Sequence, residues 1–473
     1  MRANLASLGS LPGALNGAAA RLRAGLGDRP VQLAIMGAGI SLLLVGVGAT
    51  IASGDLKVIA ILIGVLAAPF LIALAATRPY LFPYGLYLVL VPFDNLLSLG
   101  SSGTATKLLG GLTIAAVLFA IVRQRRLVMP AVTVPLAVVY ALWMLVTSLW
   151  AVDTGLAIEA VKSVFQLVLL YVVLSAAPIE ERDLRAICLL VVIGGVAAAL
   201  YGIWYLHQNP PSNESRLFVD VAGRKIDPNA FADSLLMPFA LALVALTNAR
   251  TVHVVLASLA AIALIGEGIL ITLSREGMLG CVLVGVVVLA MSRRRTLALA
   301  LLLPALALML AFAPSVVPRL ADAISSGGAG RTSIWQVDLH AWLQHPIFGW
   351  GAGSAFQAYS ANLLAVAPRD FAGWDRPPHN LVLNTLLDVG IIGFILLVAA
   401  FVMIFRQLSI VPRGDRLYDL RVGLTASLIG LAVVSLFIDN STDKYVWVAL
   451  CAVAQLRTVY LTRAAPAYQS GVP

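Results

Sequence analysis

The chain has 473 residues, 60% of them hydrophobic and only 12% charged, with a mean hydropathy of +0.94. A soluble protein carries about twice that share of charge, so a water-soluble globular fold is excluded. The net charge of +9 does not point to nucleic acid, because its arginines fall in clusters between apolar stretches and do not converge on one surface.

In chain order, the tail 1–30 is basic, with Arg2, Arg21, Arg23 and Arg29, and is expected in the cytoplasm. The apolar run after it is too long for the core of a signal peptide. Stretches of about 20 apolar residues then recur, each long enough to cross a bilayer as a helix. They fall at roughly 31–53, 56–76, 80–99, 108–123, 131–151, 158–176 and 186–206. Further ones fall at 231–248, 254–274, 277–291, 297–315, 381–405, 422–438 and 445–462. The expected fold class is all-α and polytopic, with about 14 crossings, or 12 if a pair near the N-terminus is re-entrant. Residues 31–462 form one helical membrane domain, and 463–473 form a cytoplasmic tail.

Arginines recur at Arg123, Arg125 and Arg126, at Arg293 to Arg295, and at Arg406, Arg413, Arg416 and Arg421, after even numbers of crossings. That is the positive-inside pattern. Cys188, Cys281 and Cys451 all lie in apolar segments and read as small buried hydrophobes. Two connections are long, 207–230 and 315–378, and both fall on the outer side. Long connections in a compact protein are functional or disordered. The Gly, Pro and aromatic content of the second favours an ordered loop over a site.

The candidate chemistry collects on that outer side. Asp94, near an interface, and Glu267, mid-span in Leu264-Ile265-Gly266-Glu267-Gly268, are acids placed at a cost in lipid. Arg216 and Arg224 stand in the first long loop, before Asp227-Pro228-Asn229, a triplet that reads as a capped helix start. Arg275, in Thr272-Leu273-Ser274-Arg275-Glu276, ends a span on the outer side, against the charge bias. Either it snorkels to lipid phosphate or it binds an anion through its planar fork. His379, in Pro377-Pro378-His379-Asn380, stands at the outer mouth of a span. In a first helical turn its neutral form would be favoured, which is the form a general base requires. Several arginines beside a histidine suit a pyrophosphate-bearing substrate and a group that must lose a proton. No HExxH, CxxC, P-loop or GxSxG motif occurs, and the outer loops lack an Asp-x-Asp pair. A mechanism without metal or cofactor is the expectation.

Gly330-Arg331-Thr332-Ser333-Ile334-Trp335, then His345-Pro346-Ile347-Phe348-Gly349-Trp350-Gly351, then Pro378-His379-Asn380, resemble the O-antigen ligase and polymerase superfamily. Nine residues after Asn380 come Gly390-Ile391-Ile392-Gly393, similar to the family's His-to-GxxG spacing; the GxxG itself reads as ordinary helix packing. The resemblance spans about residues 130–440. It implies a transferase at the periplasmic face of a bacterial inner membrane, moving a glycan from undecaprenyl pyrophosphate to an acceptor sugar. The acceptor would be lipid A core in a ligase, or another lipid-linked glycan in a polymerase. On this resemblance His379 deprotonates or orients the acceptor hydroxyl, and Arg275 binds the pyrophosphate. Arg216 or Arg224 assists, and Asn380, Asp227, Asn229, Arg331 and Glu267 support. A transporter of lipid-linked sugars, with charges spread along a membrane-spanning cavity, is the reading from another class.

Overall fold

The computed structural model describes residues 68–97, 104–209, 219–221, 224–294, 331–366 and 379–469. The expected spans 31–53 and 297–315, the basic tail 1–30, most of the span 56–76 and Arg216 lie outside the described residues. The chain divides into two compact units, 1–77 and 78–473. Of the first, one helix is described, α1 (Ala68–Thr77), whose Thr77 hydroxyl bonds the Ala73 carbonyl at 2.7 Å.

The second unit is helical apart from one ribbon. Its helices are α2 (Tyr84–Leu90), α3 (Ala105–Gln124), α4 (Thr133–Thr147), α5 (Thr154–Ala176), α6 (Glu181–Gln208), α7 (Pro228–Ser234) and α8 (Leu236–Asn248). They continue with α9 (Val252–Leu270), α10 (Arg275–Met291), α11 (Arg331–Gln344), α12 (Ala355–Val366), α13 (Leu381–Ser409), α14 (Tyr418–Val434) and α15 (Lys444–Gln469). Strands β1 (Val219–Val221) and β2 (Arg224–Ile226) pair antiparallel just before α7. Among the described residues, eight helical stretches are long and apolar enough to cross a membrane. The class is therefore the all-α polytopic one.

Short polar side chains fix where the helices begin. Thr104, Asp153, Thr251 and Ser274 each accept a backbone N–H of the first turn of α3, α5, α9 and α10. The expected span 80–99 is not continuous. α2 has seven residues and gives way to a 3-10 turn at Val91–Leu96, because Pro92 brings no N–H and crowds the preceding turn. At the centre of the bundle α8 is buried along nearly its whole length, packed by α6, α9, α10 and α14.

One end of the bundle is an arginine network. Arg185 pairs with Glu181 at 3.0 Å and Asp419 at 2.7 Å, Arg416 with Glu181 at 2.7 Å, and Arg463 with Asp415. Arg293 lies over the Tyr418 ring and bonds the Arg413 and Asp415 carbonyls.

The long loop 315–378 is ordered where it is described. α11 and α12 pack on each other through Ile334, Val337, Tyr359 and Leu363, and both lie against α13. Their linker threads into a break in α13. Gly390 takes φ +67° and ψ −170°, and the chain at 346–351 enters beside it. Trp350 N–H donates to Leu387 O at 2.6 Å, Gly351 N–H to Asp388 O at 3.0 Å, and Ile391 N–H to Pro346 O at 3.0 Å. A Cβ on Gly390 would stand 2.1 Å from Ile347 O. The GxxG is thus not a helix-packing pair, as its sequence reads. Its first glycine is a hinge that only glycine can occupy. The Leu381 N–H bonds Ser435 O, just past α14, at 2.8 Å, so the segment before the Gly390 break is tied at its start to the end of α14.

Candidate functional site

The end of the bundle opposite the arginine network is built from helix starts. Asp227 caps α7, its Oδ1 accepting the Asn229 and Ala230 amides at 2.7 and 3.3 Å, as the triplet predicts. Asn229 is buried in the first turn. Asn380 caps α13, its Oδ1 accepting the Val382 and Leu383 amides at 2.9 and 3.1 Å, and its Nδ2 donating to Leu436 O at 3.0 Å. These bonds start the helix after Asn380. His379 is therefore half-buried one residue before the cap, not in the first turn as expected from sequence.

Arg275 also differs from the sequence reading. It opens α10 and does not end α9, because the chain turns at 271–274 with Leu273 at φ +52° and Ser274 as the cap. An arginine at the positive end of a helix costs about 0.3–1 kcal/mol. The side chain is half-buried, and among the described residues it has no hydrogen bond or ion pair. A guanidinium beside helix N-terminal amides has the charge and the donors to meet an anion.

The next residue, Glu276, is 3% exposed and pairs with Arg331 at 3.0 Å. The Arg331 guanidinium lies over the Phe437 ring at 5.3 Å, and Trp335 packs the same ring at 6.3 Å. Phe437 follows Leu436, whose carbonyl holds Asn380. Arg331 thus contacts the residue after Arg275 on one side and, on the other, the Phe437 ring, next in sequence to the carbonyl that holds Asn380. It is a strut between the start of α10 and the connection after α14.

The connection 435–443 organises this end. Asp439 accepts from Asn384 Nδ2 at 2.7 Å and from the Ser441 amide at 3.1 Å, and burial raises its carboxyl above the usual range. Burial pushes the Asp443 carboxyl up to about 6; a hydrogen bond from Tyr445 opposes this, and Asp439 and Asp94 add to it. Asp94 is partnered by Lys444 and by the Thr104 hydroxyl at 2.7 Å, so it reads as structural. Glu267 is not mid-span: α9 ends at Leu270, leaving Glu267 half-buried in its last turn. No side-chain hydrogen bond or ion pair joins it to Arg275, Glu276 or Arg331 among the described residues. The backbone of Arg224 pairs with Val221 in the ribbon. Sequence reasoning passed over Glu276, Asp439 and Asp443. The signal for the last two was Asp439-Asn440-Ser441-Thr442-Asp443, a polar run between two spans on the side that holds His379.

Beside α13 lies a cavity of about 300 Å³, almost wholly apolar. Leu381, Leu436 and Asn440 line its upper end; Phe401, Ile404 and Thr133 line its lower end. An apolar slot between membrane-length helices, with Asn440 and Ser441 at one end, suits a molecule with a polar head and a long hydrocarbon tail.

Residues 260–398 match the family model described as O-antigen ligase, a segment that holds Arg275, Arg331, His379 and Gly390. The match supports the superfamily that the motifs resemble. No curated protein matches the chain.

Proposed function

We propose that, as a member of this superfamily, the chain is a glycosyltransferase that moves a glycan from undecaprenyl pyrophosphate to an acceptor hydroxyl at the periplasmic face, ligating O-antigen to lipid A core. The observation that carries the reading is Arg275, without a hydrogen bond or ion pair among the described residues, at the same end of the bundle as His379, with an apolar slot that begins at Leu381, two residues past His379. Charge supports the sidedness: an arginine network at the opposite end of the bundle fits a cytoplasmic end by the positive-inside bias, with His379 and Arg275 then on the outer face. The slot would take the lipid tail and Arg275 the pyrophosphate.

In the reaction the acceptor oxygen attacks the anomeric carbon and the bond from that carbon to the phosphate oxygen breaks. Undecaprenyl pyrophosphate leaves with both electrons, and the hydroxyl proton passes to the His379 imidazole. Attack opposite the leaving group inverts the anomeric centre. Preplaced positive charge at Arg275 and at the α10 amides stabilises the leaving group and is the largest contribution. Proton transfer to His379 adds about 10²–10⁴-fold.

Purified protein in nanodiscs, given an undecaprenyl pyrophosphate glycan and lipid A core in EDTA, tests the substrates. Glycan attached to core supports ligation. Elongation of the lipid-linked glycan assigns the chain to the polymerase branch. No transfer to either acceptor by folded protein removes the reading in favour of transport.

A further inference from the structure

A second cleft lies on the far side of the α13 break. Trp143, Trp150 and Phe348 form a triangle with ring centroids 6.0 to 6.2 Å apart. His345 meets the Trp350 ring edge-on at 4.6 Å. Trp150, Val152, His345, Phe348, Gly349 and Trp350 enclose about 450 Å³, a volume typical of small-ligand sites.

The cleft is built rigidly. Gly349, Gly351 and Gly353 all take positive φ, and a Cβ on Gly351 would stand 2.4 Å from Ala151 Cα. Val152 N–H donates to the Ser354 hydroxyl at 3.0 Å, fastening the loop to the end of α4. Trp143, Trp150, Trp342 and Trp350 all donate their indole N–H to protein carbonyls, at 2.9 to 3.3 Å. In a membrane-interface belt, tryptophans turn that N–H toward headgroups and water. Here the N–H groups are used internally, which fixes the rings and leaves their faces as the binding surface. Trp150 is 39% and Phe348 53% exposed, so those faces are reachable. The imidazole of His345 is exposed, with no hydrogen bond among the described residues.

We infer that this cleft is a saccharide subsite, in which the C–H face of a sugar stacks on Trp150 and Phe348 while His345 hydrogen-bonds a hydroxyl. An aromatic face is electron-rich and attracts the weakly positive C–H edge of a pyranose. One polar group among apolar rings fixes orientation. The cleft is joined by backbone bonds to Leu387 and Asp388, on the order of 10 Å along the helix from the Asn380 cap. It therefore holds sugars a few residues from the transfer point and selects glycan identity, not the reacting bond. The proposal deepens the glycan-transfer reading and rests on it for the ligand class.

The test is binding without turnover. The full chain in nanodiscs is titrated calorimetrically with water-soluble glycan released by mild acid from the source cell's surface polysaccharide, using wild type, Trp150→Ala, Phe348→Ala and Trp150→Phe. Saturable binding that weakens about tenfold in either alanine variant, and is largely kept in Trp150→Phe, supports the subsite. Two alanine variants guard against one failing to fold. Absence of binding, or equal affinity in all four proteins, overturns it. So does quenching of Trp150 emission by brominated phosphatidylcholine, taken as wild type minus Trp150→Phe, because that result makes the rings a lipid-facing belt. Since no donor is consumed, loss of the transfer reading and loss of this subsite are read separately.

Discussion

Gly390→Ala is the perturbation whose cost is most directly worked from the geometry. At φ +67° and ψ −170° an L residue stands in a region essentially reserved for glycine, a strain of about 1–3 kcal/mol. The new Cβ would meet Ile347 O at 2.1 Å and Ile347 C at 2.5 Å. Both atoms are backbone and cannot rotate aside, so overpacking adds about 1–3 kcal/mol. The sum is a loss of about 2–6 kcal/mol, felt through the junction that holds residues 346–351 against α13. Gly285→Ala is the control: it lies inside α10 with nothing within 4 Å of its added Cβ, and is expected to gain about 0.5–1 kcal/mol. Equilibrium unfolding in mixed micelles, followed by far-UV circular dichroism, separates the two. If Gly390→Ala unfolds no more readily than Gly285→Ala, the hinge argument is wrong.

Three further substitutions probe the same framework. Asn380→Ala removes two cap bonds and the tie to Leu436, so it is expected to lower stability by about 0.5–2 kcal/mol, with Asn380→Asp recovering the cap part in the same unfolding assay. Arg331→Met leaves the buried Glu276 carboxylate uncompensated and is expected to cost about 3–5 kcal/mol; adding Glu276→Gln should restore much of it in a double-mutant cycle. Asp338 on α11 is fully buried, neither carboxyl oxygen has a partner among the described residues, and burial pushes it up to about 8. Between an unfolded value near 3.9 and that folded value the native state holds the extra proton, so stability falls as pH rises through this window and is flat above it. Asp338→Asn should therefore stabilise little at pH 4.5 and most at pH 8.5, by at most about 5 kcal/mol. A stability difference that does not grow with pH contradicts this.

Much of the fold was legible because lipid imposes a simple rule: apolar stretches of about 20 residues become helices. The Asp227 cap was legible because a short acid before proline has few other uses. Depth and direction were not. The sequence Val91-Pro92-Phe93-Asp94 reads as part of a span, yet proline turns it into a 3-10 segment held by Lys444, some 350 residues away. Arg275 and His379 each sit within a residue or two of a helix boundary, the least reliable feature to read from sequence. The contacts of Arg331 with Glu276 and Phe437 are tertiary and have no local signature. Gly390 was visible as a motif, but its role depends on a loop some 40 residues earlier entering the helix. No periodicity encodes that contact.

Glycan transfer at His379 and Arg275 is tested most directly by its rate in nanodiscs for wild type, His379→Ala and Arg275→Ala, with Arg275→Lys alongside. A loss of about 10²-fold or more is expected in His379→Ala and a collapse in Arg275→Ala, while each protein keeps the wild-type unfolding midpoint. Arg275→Lys should recover only part of the rate, because a point charge lacks the two-point fork. Transfer at the wild-type rate by a folded His379→Ala variant would contradict the central claim.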